Sequence, residues 1–287
     1  MHTPGIFLKI APQFVAAWVD PHTIRFGFST AALELSALTE QDRTLISSLL
    51  TGTTMAALKR TAKRSKISPE HLQEMLRLLA PVLQASSSPS AATTTVNLFQ
   101  TASYQLAVPI IASETATRTA LLLHEALSWH GHLPSSTSDL LITVNRFLVD
   151  QQLSLSQLQH STAAQLPITF SDSCVRIGPL LTAESTPCAA CCEHETLRAD
   201  PDKSIMLPQL LGHTAATETA TVVKHIAPLL AQLVAAPYAA TGKQFSFEFS
   251  QAEIPLPRVH YLRPDADCLC AHLTASPHSQ LAELTAA

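Results

Sequence analysis

Two short stretches decide how this chain is read: Thr186-Pro-Cys-Ala-Ala-Cys191 and, after 76 intervening residues, Cys268-Leu-Cys270. Two residues between Cys188 and Cys191 let a tight turn present both sulfurs to one ion. The second close pair supplies the other two corners of a tetrahedron. Four thiolates concentrate negative charge that a divalent cation offsets, and zinc is the ion that such a donor set selects. The predicted ligands are therefore Cys188, Cys191, Cys268 and Cys270. A closed four-sulfur site leaves no position for water, so its expected role is structural. It would tie the chain after Leu181 to the C-terminal segment.

Other readings of these cysteines stay open at this point. A redox pair of Cys188 with Cys191 is disfavoured, because the pair is not expected to open a helix after a thioredoxin-like strand. Plain buried thiols are the third possibility. Cys192 competes with Cys191 as a ligand, and His194 or His272 can replace one sulfur. Cys174, on an expected strand, reads as a core thiol. Six cysteines in 287 residues are not a disulfide scaffold.

Working outward, the segment between the pairs holds the best helix, Thr217–Ala235. Val222, Val223, Ile226, Leu229, Leu230, Leu233 and Val234 form its apolar stripe, and Pro228 is expected to bend it. Phe245, Phe247 and Phe249 then alternate with polar residues, as a half-buried strand does. Upstream, Tyr104–Ala112, Leu140–Val144, Leu166–Phe170 and Val175–Leu180 read as strands. Glu114–Trp129 and a short Ser154–His160 read as helices. This alternation predicts an α/β core with a mainly parallel sheet.

The run Ser-Ser-Ser-Pro-Ser-Ala-Ala-Thr-Thr-Thr over 86–95 buries little and reads as a linker. It predicts three parts: a unit over 1–85, a linker over 86–96, and a domain over 97–287. In the first unit, strands Phe14–Val19 and Ile24–Phe28 flank a turn over Asp20–Thr23. Thr39 with Asp42 resembles a capping box ahead of Leu45, Ile46, Leu49 and Leu50. Gly52 suits the stop of that helix, and a second runs over about Thr54–Arg64. Ser68-Pro69 then starts a third, which carries Leu72, Met75, Leu76 and Leu79. Strands followed by three helices suggest a small winged-helix-like unit.

Composition excludes several classes. The chain is 46% hydrophobic and 14% charged, too apolar to be largely disordered. A formal charge of −4 excludes a chain-wide nucleic-acid polycation. No apolar run is long enough to span a membrane. The N-terminal stretch lacks a basic leader and is interrupted by Pro12, so it reads as strands and a cytoplasmic placement is expected. There are 7 glycines, and Ala112–Arg118, where a phosphate loop would follow the first strand of the core, has none. No catalytic signature is present, so no intrinsic activity is expected. Residues 1–85 carry nine Lys/Arg and six Asp/Glu, most densely over Lys59–Lys66. That cluster suits a solvated helix face, an acidic peptide or a phosphate backbone.

Ile177-Gly-Pro-Leu-Leu181, the Pro187-Cys-Ala-Ala-Cys191 pair, Arg198-Ala-Asp-Pro201 and the closing Arg263-Pro-Asp-Ala-Asp-Cys-Leu-Cys270 together resemble the ThiF/E1-like proteins of thiazole/oxazole-modified (TOMM) peptide and bacteriocin biosynthesis. These are the leader-peptide-binding, cyclodehydratase-partner proteins. The resemblance covers roughly residues 100–287 and extends more loosely over 1–85. It implies a winged-helix-like unit that recognises a precursor leader peptide by strand addition. It also implies a degenerate, Rossmann-type E1-like core without ATP chemistry, and structural zinc on Cys188, Cys191, Cys268 and Cys270. A separate ATP-dependent cyclodehydratase would be the partner, and analogy extends to a homodimer. The competing expectation is a winged-helix nucleic-acid-binding protein with a zinc-stabilised dimerisation core. The scarcity of base-reading side chains makes nucleic acid the weaker partner.

Overall fold

Thr39 opens the first helix (α1, Glu40–Thr51). Its hydroxyl accepts from the Asp42 N–H at 3.3 Å, while the Asp42 carboxylate accepts from the Thr39 N–H at 2.9 Å. Two donors that a helix start would otherwise orphan are thereby satisfied. Gly52 follows at φ 88°, where a Cβ would lie 2.6 Å from the Phe7 ring. Thr54 caps α2 (Met55–Arg64) and Ser68 caps α3 (Pro69–Leu78), with Pro69 in the first turn where a missing N–H does no harm. The Thr39–Asp42 box, Gly52 and Ser68-Pro69 act as the sequence suggests, and the Thr54 cap is an addition the structure makes.

The computed structural model describes residues 6–86, 110–112, 117–131, 140–150, 154, 163–182, 187–249, 255–268 and 270. The fold is mixed α/β. It has two compact units, residues 1–103 with 208–210, and residues 104–207 with 211–287. The linker expected over 86–96 lies outside the described residues except at Ser86. So do the expected helix Ser154–His160, apart from Ser154, and most of the expected strand Tyr104–Ala112.

The first unit has two small antiparallel sheets. In one, β1 (Phe7–Ile10) lies between β5 (Thr53–Thr54) and β6 (Leu83–Ser86). In the other, β3 (Thr23–Phe26) lies between β2 (Ala16–Asp20) and β4 (Leu33–Leu35). Leu8, Ile10, Ile24 and Phe26 of these strands meet Leu45, Ile46 and Leu49 of α1, Leu58 of α2, and Leu72 and Met75 of α3 in one core. Each such side chain contributes about 1.5–3 kcal/mol on burial. The short segment 208–210 also belongs to this unit. Its Gln209 amide accepts from the Trp18 N–H at 3.0 Å and donates to the Trp18 carbonyl at 2.7 Å. A side-chain amide thus takes the place of a neighbouring strand along β2.

The second unit holds a six-stranded sheet in the order β12-β11-β10-β9-β8-β7. Its strands are β7 (Ile110–Ala112), β8 (Leu140–Arg146), β9 (Ala164–Phe170), β10 (Cys174–Ile177), β11 (Lys243–Glu248) and β12 (Arg258–Tyr261). Helix α4 (Thr117–Ser128) connects the parallel β7 and β8, and β9 continues parallel. The remaining three pairings are antiparallel. This corrects the expected mainly parallel sheet. Only three residues, Ser171–Ser173, separate β9 from β10, too few for the crossover that a parallel pair requires. β8 and β9 are buried almost throughout, as strands covered on both faces are. On β11, Phe247 is buried but so is Ser246, whose hydroxyl bonds His260 at 2.8 Å. The phenylalanine alternation therefore marks the strand without dividing it into a wet and a dry face. Among the described residues no helix is long and apolar enough to cross a membrane.

Candidate metal centre

The chain leaves β10 through Gly178, at φ 87°, where a Cβ would lie 2.8 Å from the Lys243 carbonyl. It then enters helix α5 (Ala189–Ala199), whose N-cap is Cys188. The cysteine pair therefore does open a helix, contrary to the sequence expectation. Cys188 and Cys191 sit in its first turn, where unsatisfied N–H groups and the helix dipole favour negative sulfur.

The structure brings Cys188, Cys191, Cys268 and Cys270 together, with all four sulfurs within 4.8 Å of one another. Cys188 lies 3.8 Å from Cys191 and 3.5 Å from Cys268, and Cys191 lies 3.2 Å from Cys270. Tetrahedral ligands at the usual zinc–sulfur bond length stand about 3.8 Å apart. The four cysteines are thus close enough to hold a metal ion. Cys191 and Cys268 are buried, Cys188 and Cys270 half-buried.

Electrostatics within the cluster are uneven. Burial pushes the Cys188 and Cys270 thiols up. Burial also acts on Cys191, but the Asp265 N–H and the neighbouring thiols outweigh it and hold that thiol below its ordinary value. Cys191 is the sulfur best prepared to be a thiolate, the form that binds metal.

Cys192 is not part of the cluster. Its sulfur donates to the Cys188 carbonyl at 3.3 Å, and burial pushes its thiol up to about 12. Cys174 is a buried core thiol, likewise pushed up to about 12 by burial. His194 does not reach for the sulfurs: its Nδ1 lies 3.0 Å from the Asp265 carboxylate. His272 lies outside the described residues.

Asp265 is the residue that sequence reasoning missed. Its N–H donates to Cys191 Sγ at 3.3 Å, and its carbonyl accepts from the Cys268 N–H at 3.0 Å. Its carboxylate accepts from the Asp267 N–H at 3.1 Å and from Arg198 at 2.9 Å. The Asp267 N–H and the Arg198 guanidinium, with His194, hold that carboxyl below its ordinary value. One residue thereby fixes the turn that delivers Cys268 and anchors it to α5. The signal was present in the sequence as Pro264-Asp-Ala-Asp267, an Asx-turn pattern directly before a ligand.

The second unit also has a polar cluster at the carboxyl end of its parallel strands, where open α/β sheets place ligands. Arg146, the last residue of β8, donates to the Glu218 carboxylate at 2.8 Å from one nitrogen and again from its Nε. Thr119 donates to the same carboxylate, and so does the Ala215 N–H at 2.9 Å. Only 14% of the Arg146 side chain and 3% of that of Glu218 are exposed. Glu218 lies just before α6 (Ala220–Ala235), which runs on through Pro228, and Thr119 lies in the first turn of α4. Sequence reasoning did not single out this ion pair.

No family model and no curated protein matches this sequence. Among solved structures the chain is similar to the heterocyclase TruD, with 16% identity and a TM-score of 0.40, over 92% of this chain and 42% of that one. A chain of the E. coli microcin synthetase McbBCD complex gives 14% identity and a TM-score of 0.42, over 91% of this chain and 99% of that one. E. coli MccB gives 8% identity and a TM-score of 0.33, over 91% and 96%. The chain spans less than half the length of TruD.

Proposed function

We propose that this chain is a non-catalytic, E1-like scaffold that holds a precursor leader peptide for a separate ATP-dependent cyclodehydratase in azole-peptide biosynthesis. On this reading residues 1–85 form a winged-helix-like recognition unit, 86–96 a linker, and 97–287 a degenerate Rossmann-type domain stapled by zinc. The observation that carries it is the state of the sheet β2-β3-β4. Gln209 already bonds the main chain of β2 at Trp18, whereas β4 is an edge strand without a partner strand among the described residues. An unpaired edge is where an extended peptide adds as a further strand, its main chain supplying affinity and its side chains selectivity.

Two features support the absence of ATP chemistry. The segment Ala112–Arg118 has no glycine for a phosphate turn. The carboxyl end of β8 is filled by the Arg146–Glu218 pair rather than by an open polar crevice. The sulfur spacings fit zinc, which would supply structural cross-linking and no reaction step.

The test is titration of candidate leader peptides against the full chain, by anisotropy, with Glu34→Pro as the variant. Proline on the edge strand removes an N–H that strand addition needs. Binding by the parent chain and its loss in Glu34→Pro support the reading. Undiminished binding by Glu34→Pro, or ATP–pyrophosphate exchange by the chain alone, overturns it.

A further inference from the structure

Helices α2 and α3 enclose a groove of about 720 Å³ within the first unit. Its floor is Met55, Ala62, Ile67, Leu72 and Leu76, and Lys59 and Lys63 stand on its α2 rim. The two lysines are exposed and four residues apart, so they share one helix face. Arg60, Arg64 and Lys66 extend the cationic row, and none of the five has an acidic partner among the described residues. The nearby carboxylates are otherwise engaged. Glu74 is held by Arg77 at 2.8 Å, and the Glu70 carboxyl is held below its ordinary value by its own backbone N–H and the Ser68 hydroxyl. Among the described residues, none that lines the groove is acidic.

We propose that this groove docks an acidic amphipathic helix of a partner protein. An apolar floor beside an unpaired cationic rim is complementary to a helix with apolar anchors at i, i+3 or i+4, and i+7 and Glu or Asp on its flank. The walls are helices whose main chain is already bonded internally. An extended strand would find no main-chain partners there, whereas a helix brings its own. A nucleic acid would pair its phosphates with the lysines but leave Met55, Ile67 and Leu76 uncovered, and among the described residues no aromatic side chain lines the groove for base stacking. The proposal does not rest on the leader-peptide reading, since no residue of β4 lines the groove.

The test is fluorescence anisotropy on the full chain. The probe is a designed peptide of about 18 residues, long enough to form an isolated helix, with leucines at the anchor spacing and glutamates on its flank. A charge-reversed lysine version and a short DNA duplex serve as competitors. The acidic peptide is expected to bind, more weakly as salt rises. Lys59→Glu/Lys63→Glu should weaken it about tenfold or more and favour the lysine version instead. Gln73→Trp, at an exposed groove residue, should obstruct binding without charge change. Both variants alter exposed side chains, and an unchanged circular-dichroism melt verifies the fold. Equal binding by parent and both variants, or displacement of the peptide by DNA, overturns the proposal. So does failure of the acidic peptide to bind. Loss of leader binding in Glu34→Pro leaves this outcome unaffected, so the two readings fail separately.

Discussion

The backbone N–H of Asp265 reaches the sulfur of Cys191 at 3.3 Å across 74 positions of sequence. Hydrogen bonds to metal-bound sulfur orient the ligand and stabilise its negative form, and residues that hold ligands in place matter nearly as much as the ligands. Arg198, His194 and the Asp267 N–H hold the Asp265 carboxylate in turn, which fixes the backbone that carries this N–H. Asp265→Ala is therefore expected to bind zinc about 10–100-fold more weakly. Competition against a chromophoric chelator measures this, and an unchanged affinity would contradict the positioning role.

Removing a ligand should be more severe. Parent protein is expected to carry about one zinc per chain, and Cys188→Ser far less, because a metal bound only by the folded site contributes its binding energy to folding. Elemental analysis reads the first quantity and urea unfolding the second. Cys192→Ser provides the contrast, since that thiol lies outside the cluster. It should retain its zinc.

The capping box of α1 ties a pH dependence to one carboxylate. Burial would raise the Asp42 carboxyl, but the Thr39 hydroxyl, the Thr39 N–H and His71 together hold it below its ordinary value of 3.8. A carboxyl depressed on folding stabilises the native state above its unfolded value, and that contribution is lost as pH falls through the folded value. Acid unfolding should thus begin below about pH 4 at this site. Asp42→Ala should cost about 1–3 kcal/mol at neutral pH and flatten the acid limb of the stability curve. A variant with the parent's acid limb would show that the stabilisation lies elsewhere.

Sequence legibility followed the range of the physics. Thr39 with Asp42, Ser68 with Pro69, and Gly52 act within four residues, and all three were readable. The four cysteines were readable as a set because metal donors come in close pairs, although nothing in the spacing said that Cys188 would cap a helix. Sheet direction was not readable. Phe245 and Phe247 announce a strand, but alternation carries no information about whether its neighbour runs the same way. β12, Arg258–Tyr261, is exposed along its whole length and has no burial pattern to detect. Gln209 bonding Trp18, and Glu218 meeting Arg146, join positions whose only signal is an ordinary polar residue.

The Arg146–Glu218 pair gives the last expectation. Both groups are largely withdrawn from water, and the desolvation of such a pair is offset only while each charge keeps its partner. Among the described residues, Arg146→Ala leaves the buried Glu218 carboxylate the Thr119 hydroxyl and the Ala215 N–H as partners. It should therefore destabilise the chain by about 3–5 kcal/mol in urea unfolding. Replacing both partners with apolar residues of similar volume, Arg146→Met/Glu218→Leu, removes the stranded charge and should recover most of that loss. If the double variant is as unstable as Arg146→Ala, the carboxylate serves the fold through Thr119 and Ala215 rather than through the ion pair. If the double variant recovers stability but gains nucleotide binding by calorimetry, the pair acts as a plug at the mouth of the parallel strands.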